Sequence, residues 1–251
     1  MQSSNPDFKA VLTESGLASG LPNQAYTSED FFHTEQEQLF ARTWTCIGNG
    51  CSIPEPGDLR PVGCLGQPLL MLRNQQGEVR VFHNVCSHRG NELVWQACSV
   101  KRTIQCPYHG WTYGLDGRLL ATPNVGGSGV HAIDELDKNE HGLCEARSAV
   151  WMDLVFVNLS ADAPDFETFI APLQQRIDKL LPREKFAALK PAANHGSYTI
   201  DFAGNWKLCI ENNLESYHLP TVHPDLNAVS KLEDHYHFYG DDLFAGQGTL
   251  R

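Results

Sequence analysis

Apolar residues along this chain change their spacing several times, and each change predicts a different kind of element. Residues 1 to 25 are rich in Ser, Gly, Pro and Asn without a period, which predicts an irregular arm. A helix is predicted from Thr27 to about Thr43: Thr27 or Ser28 can cap it, Glu29 and Asp30 suit its positive end, and Phe32, Leu39 and Phe40 share one face. From Trp44 to Leu159 short apolar runs are broken by Gly, Pro and Asp, as in an antiparallel β domain. Pro68 to Leu72 and Val79 to Phe82 flank Asn74-Gln75-Gln76-Gly77, and Trp111 to Leu115 and Arg118 to Ala121 flank Asp116-Gly117; both are hairpin signals. Ala149 to Leu159 reads as one buried strand leaving this domain. Ser160 to Pro164 then reads as a linker, followed by a helix in which Phe166, Phe169, Ile170, Leu173, Ile177 and Leu180 keep helical spacing until Pro182 stops it. One further strand is expected at Tyr198 to Phe202. The pattern divides the chain into an arm and helix (1–43), a β domain (44–159) and a further segment (160–251).

Composition narrows the partners. A chain of 251 residues can bury one large core or two modest ones. Nineteen Lys and Arg against 30 Asp and Glu give a formal charge of -11, which opposes binding to nucleic acid or anionic membranes and leaves small molecules and proteins. Met1 to Ala10 has no basic or apolar leader pattern, and Ala149 to Leu159, interrupted by Asp153, is too short to span a bilayer. Eight Cys in such a chain point to a reducing compartment, so a cytoplasmic location is expected. Cys46, Cys51, Cys64, Cys98, Cys144 and Cys209 are scattered and read as small core or surface residues.

Cys86 and Cys106 belong to a different pattern. The stretches Cys86-Ser87-His88-Arg89-Gly90 and Cys106-Pro107-Tyr108-His109-Gly110-Trp111 form C-x-H, seventeen residues, C-x2-H, so each of two loops offers one thiolate and one imidazole. Two Cys on one iron and two His on the other are the donors of a Rieske [2Fe–2S] centre, whose potential rises because neutral imidazole replaces thiolate. Thiolates suit the inner ferric iron and imidazoles the outer one. The glycines allow each loop to fold tightly and to turn backbone N–H groups toward the sulfurs. A structural Cys2His2 zinc site takes the same side chains, but zinc modules usually pair like with like, whereas each loop here carries one of each.

A second chemistry-bearing segment runs from Asn205-Trp206-Lys207 to Glu211-Asn212-Asn213-Leu214-Glu215-Ser216-Tyr217-His218 and on to His223. On a continuous helix Glu211, Glu215 and His218 would share a face, and a helix–turn past Pro220 could bring His218 and His223 to one metal. Two His with one carboxylate make the facial triad of non-haem Fe(II) oxygenases, which leaves positions open for O2 and substrate. H-x4-H alone is a weak signal, and two surface His are the default reading; a preceding Rieske motif reverses that weighting. Glu211 reads as a solvated helix residue.

The two motifs in this order resemble the α subunits of Rieske non-haem iron oxygenases, the aromatic-ring-hydroxylating dioxygenases and related monooxygenases. The resemblance implies an α+β chain, with an all-β Rieske domain followed by the N-terminal part of a helix-grip (START-like) catalytic domain. It implies a [2Fe–2S] cluster on Cys86, His88, Cys106 and His109 and a mononuclear Fe(II) on His218 and His223. Glu215 stands where the family places the acid that bridges a cluster His of a neighbouring subunit to an iron-ligating His. Most ring dioxygenases carry Asp there; the Glu is more similar to the branch that oxidises choline, carnitine and betaines. The resemblance further implies electrons from NAD(P)H through a reductase, with or without a ferredoxin, O2 and a small organic substrate that is hydroxylated or N-demethylated, and a homotrimer. A disulfide-pinned cluster is not expected, since Asn91 and Tyr108 stand where the extra Cys would be. The family's third iron ligand, usually an Asp, comes from a later helix with no counterpart here, and nothing in the spacing recommends Asp225, Asp234, Asp241 or Asp242. The rival expectation is a Rieske ferredoxin-like electron-transfer protein, or an inactive truncated oxygenase without a competent mononuclear site.

Overall fold

The computed structural model describes residues 6–14, 17–160, 162–189, 200–240 and 244–250. In chain order these form α1 (Gln24–Thr27), α2 (Glu29–Glu35), β1 (Thr45–Asn49), β2 (Asp58–Cys64), β3 (Gln67–Arg73), β4 (Val79–His83), β5 (Cys98–Ser99), β6 (Thr103–Gln105), β7 (Thr112–Gly114) and β8 (Leu119–Ala121). There follow β9 (Arg147–Trp151), β10 (Leu154–Asn158), α3 (Phe166–Asp178), α4 (Arg183–Ala187), α5 (Trp206–Leu214), α6 (Leu219–Val222), α7 (Pro224–Val229), β11 (His235–Gly240) and β12 (Phe244–Thr249). The class is α+β, as expected. The chain divides into two units, one built on residues between Gln36 and Ala163, the other on the N-terminal segment up to Glu35, Pro164–Ala188 and residues from Gly196 onward.

The first unit holds three antiparallel sheets, ordered β1-β10-β9, β4-β3-β2-β5 and β6-β7-β8. Strand β3 explains why its sequence is a continuous apolar run rather than an alternation. Leu70 and Leu72 pack into a core with Phe82, Ile104, Trp111, Tyr113 and both Cys86 and Cys106, while Leu69 and Met71 pack into a second core with Ile53, Val81, Val155 and Val157. Side chains alternate across a strand, so a strand buried on both faces must be apolar at every position. The Asn74–Gly77 turn forms as expected, with Asn74 Oδ1 accepting the N–H groups of Gln76 (3.0 Å) and Glu78 (2.8 Å).

Three expectations need correction. Ala149–Leu159 is not one strand: Met152 and Asp153 adopt positive φ (53° and 65°), a two-residue turn of primed hairpin geometry, and β9 pairs back on β10. The helix expected over 27–43 is broken at Ser28, whose backbone is extended and whose Oγ caps α2 by accepting the N–H of Phe31 (3.2 Å); a π-helical turn at Gln36–Phe40 follows. Tyr198 and Thr199 lie outside the described residues, and Ile200–Phe202 belongs to no strand.

In the second unit α3 begins at Phe166 and carries Pro172 within it. Of the stripe expected to face a core, only Phe166 is buried, and Leu180 is exposed. The β11–β12 hairpin uses Gly246 and Gly248 so that the rings of Phe238 and Tyr236 can lie across the partner strand; a Cβ on Gly246 would meet the Phe238 ring at 2.4 Å. Among the described residues no helix is long and apolar enough to cross a membrane.

Candidate metal centres

The two Cys/His loops are built alike. In each, the Gly N–H returns to the Cys carbonyl (Gly90 to Cys86, 2.9 Å; Gly110 to Cys106, 3.0 Å), and both glycines have φ of 71°. The residue after each Gly then accepts the Cys N–H, at 2.8 Å to Asn91 and 2.8 Å to Trp111. Positive φ at that corner is where a Cβ would be strained, which is why both loops end in Gly. The turns are equal in length, so C-x-H and C-x2-H place the imidazole at successive positions of the same turn. Both loops close hairpin ends, the first at the Val85–Glu92 bridge and the second between β6 and β7.

The four side chains sort into two pairs. Cys86 and Cys106 are 2% and 3% exposed, with their thiols within hydrogen-bonding reach of each other. His88 and His109 stand edge to face at 4.8 Å, farther toward solvent. Burial pushes the Cys86 thiol up and Cys106 adds to this, so two adjacent thiolates need a positive centre between them. Burial, with His109 and Arg89 nearby, pushes the His88 pKa down toward the neutral imidazole that binds metal. A thiolate pair inside and an imidazole pair outside fit a two-iron cluster.

Residues beyond the motif complete this shell. Trp111 stacks on His88 at 4.6 Å with planes 7° apart, and His141 meets Trp111 edge-on at 5.9 Å. Tyr113, fully buried on β7, sets its hydroxyl 3.0 Å from Cys86 Sγ and 3.0 Å from Ser87 Oγ, and accepts the Ser87 N–H at 3.2 Å. Tyr113 was missed in the sequence because it lies past the motif, and its one signal is a phenol at an inward position of an apolar strand.

The second segment differs from the expectation of a continuous helix. Asn205 Oδ1 caps α5 through the Lys207 N–H (3.1 Å), but α5 stops at Leu214, and Glu215 is extended (φ -125°, ψ 151°). Glu211, Glu215 and His218 therefore do not share a helical face. Instead the Glu215 carboxylate accepts the His218 backbone N–H at 3.2 Å and pairs with His218 Nδ1. That pairing holds the Glu215 carboxyl below the usual carboxylate range. The short helix α6 joins His218 to His223 and brings their rings together edge to face at 5.4 Å. With Nδ1 engaged by Glu215, His218 keeps Nε2 for a metal, the arrangement in which a carboxylate fixes a ligand's tautomer. The two imidazoles that a facial triad would need thus stand side by side. Among the described residues no third His, Cys, Asp or Glu joins them; Asp241 and Asp242 lie outside that set.

Glu211 is exposed but not simply solvated: it accepts the Tyr26 hydroxyl at 2.7 Å, and burial followed by this bond pushes the Tyr26 pKa up to about 12. The Asn-Trp-Lys motif works as an anchor. Asn205 Nδ2 donates to the Tyr26 carbonyl (3.2 Å), Trp206 Nε1 to Glu35 Oε2 (3.2 Å), and Lys207 Nζ to both Glu35 oxygens (2.7 and 2.8 Å). The ammonium also lies over the rings of Trp206 (5.1 Å), Phe31 (5.6 Å) and Tyr26 (5.8 Å).

Known proteins match both parts. Residues 43–135 match the Rieske [2Fe-2S] domain, and residues 189–251 match the ring hydroxylating alpha subunit (catalytic domain). The chain is 29% identical over 221 residues to a carnitine monooxygenase oxygenase subunit of Acinetobacter pittii, covering 88% of this chain and 57% of that one. It is 36% identical over 215 residues to a glycine betaine monooxygenase oxygenase subunit of Chromohalobacter salexigens, covering 85% and 45%. A solved quaternary ammonium Rieske monooxygenase superposes with a TM-score of 0.74 at 28% identity, covering 87% of this chain and 57% of that one. The chain thus spans about half the length of the curated relatives it matches. A Rieske domain implies a [2Fe–2S] cluster and the catalytic domain a mononuclear iron, and the match over 189–251 goes beyond a small electron carrier. The chain thus carries a Rieske [2Fe-2S] domain followed by a stretch of the ring hydroxylating alpha subunit catalytic domain, in the order shared with the oxygenase subunits it resembles.

Proposed function

We propose that this chain is the oxygenase component of a multicomponent Rieske system acting on a quaternary ammonium compound. The observation that carries the reading is the Glu215–His218–His223 cluster of contacts in a chain that also pairs Cys86 with Cys106 and His88 with His109. In this reading residues 44–159 form the cluster domain and residues 160–251 part of the catalytic domain, preceded by the arm and helix 1–43. Cys86, Cys106, His88 and His109 hold the cluster, and His218 and His223 hold the mononuclear iron. When bound, these groups supply single-electron transfer and an open coordination position for O2.

The chain's own residues do the positioning. Glu215 keeps the His218 Nδ1 proton in place and leaves Nε2 free, while the Trp111 ring fixes the plane of His88. A carboxylate in this position is also suited to receive a second imidazole N–H, and we assign Glu215 the bridge to a cluster His of a neighbouring subunit in a homotrimer. Electrons come from NAD(P)H through a reductase, with or without a ferredoxin. A cytoplasmic location agrees with eight cysteines, all free. The names of the relatives support a quaternary ammonium substrate, oxidised with hydroxylation or N-demethylation.

Two measurements test this. Metal analysis after anaerobic reconstitution should find a third iron beyond the cluster pair. With a reductase and NAD(P)H, O2 uptake should depend on carnitine or glycine betaine; uptake indifferent to substrate in a protein holding only the cluster irons would leave an electron carrier.

A further inference from the structure

Around Cys86 the hydrogen-bond donors are one fewer than the contacts that need them. Ser87 Oγ lies 2.7 Å from the His141 carbonyl oxygen, which can only accept, so the single Ser87 hydroxyl proton is committed there. The residue carrying that carbonyl is well held: it ends the 3₁₀ turn Lys138–His141, its ring packs on Trp111, and the nearby Leu143 N–H bonds the Gly117 carbonyl at 2.8 Å. Ser87 Oγ can then meet Tyr113 only as an acceptor. Tyr113 has one proton and two acceptors at the same distance, Ser87 Oγ and Cys86 Sγ, each at 3.0 Å. Tyr113 itself is fully buried, away from bulk solvent.

We propose that Ser87 is a positioning residue for the cluster potential: fixed by the His141 carbonyl, it competes with Cys86 Sγ for the Tyr113 proton. The proposal rests on the reading of Cys86 as a cluster ligand. A donor to a ligating sulfur favours the reduced, more negative cluster and raises its potential, so a competitor for that donor lowers it. The thiolate keeps the larger share because charge-assisted bonds are stronger, and Ser87 acts by drawing part of the proton away.

The test is a mediated dithionite titration at fixed pH, followed by the EPR signal of the one-electron-reduced cluster, on the parent and four variants. Tyr113→Phe should lower the reduced-to-oxidised ratio at a fixed poise about fivefold, a fall of ~40 mV at ~59 mV per tenfold for one electron. Ser87→Ala should move it the other way, about twofold. Ser87→Thr, which keeps the hydroxyl, should restore the original value. In the Tyr113→Phe background Ser87→Ala should change nothing, since the proton in dispute is gone. An unchanged or lowered potential in Ser87→Ala, or an equal rise in the Tyr113→Phe background, would overturn the competition. A reconstituted parent protein with no Rieske-type EPR signal would instead overturn the ligand assignment beneath it.

Discussion

His218 makes the sharpest single-residue case, because its two ring nitrogens are already divided between tasks. Nδ1 is taken by Glu215, which fixes the tautomer and raises the basicity of Nε2. Glu215→Gln keeps an acceptor but removes the charge, and loss of such an orienting carboxylate typically costs about 10- to 100-fold in metal affinity. A Co(II) titration read by absorbance should show that weakening, while the cluster spectrum stays as in the parent. Unchanged Co(II) affinity would remove Glu215 from the site. At this scale the paired Cys/His loops were legible because their spacing is local and their donor set rare. Tyr113 was not, because its tie to Cys86 spans 27 residues and depends on the register that turns it inward on β7.

At the scale of elements, the anchor of α5 is the feature that pattern reading named without explaining. Glu35 and Lys207 have side chains only 9% exposed, and their ion pair is closed off by Trp206, Phe31 and Tyr26. Removing one partner of a buried pair leaves an uncompensated charge and costs about 3–5 kcal/mol, whereas replacing both with apolar side chains of similar volume is often neutral. Lys207→Met should therefore lower the urea midpoint of the second unit markedly, and Glu35→Leu with Lys207→Met should recover most of it, by far-UV circular dichroism. Equal losses in both would mean that the pair itself, rather than the stranded carboxylate, governs stability. No periodicity could have paired Glu35 with Lys207, since they are 172 residues apart. Where pattern reading failed on element bounds, a local conformation overrode the apolar period: the positive φ of Met152 and Asp153 split a strand that reads as continuous, the extended Glu215 ended α5, and the Ser28 cap broke a helix. The β3 run, the Asn74–Gly77 turn and the hairpin-borne loops were legible because local chemistry and burial pointed the same way.

For the whole molecule, the two candidate centres differ in how far solvent reaches their ligands. Cys86 and Cys106 lie in a core with Leu70, Ile104, Trp111 and Tyr113, while His223 is exposed and His218 partly so. Metal leaves most readily from ligands that water and protons can reach, and a two-His set without a third side chain among the described residues binds less tightly than a closed one. On the function proposed above, a mild chelator at neutral pH should strip the iron from His218 and His223 and abolish substrate-dependent O2 uptake, while the reddish-brown colour and Rieske-type EPR signal persist. Adding Fe(II) anaerobically should restore uptake, and adding Zn(II) first should block that recovery, because zinc takes the same imidazoles but carries no redox chemistry. Bleaching of the cluster in step with the loss of uptake would mean that the buried thiolates do not protect it, and the division of labour drawn from burial would fail.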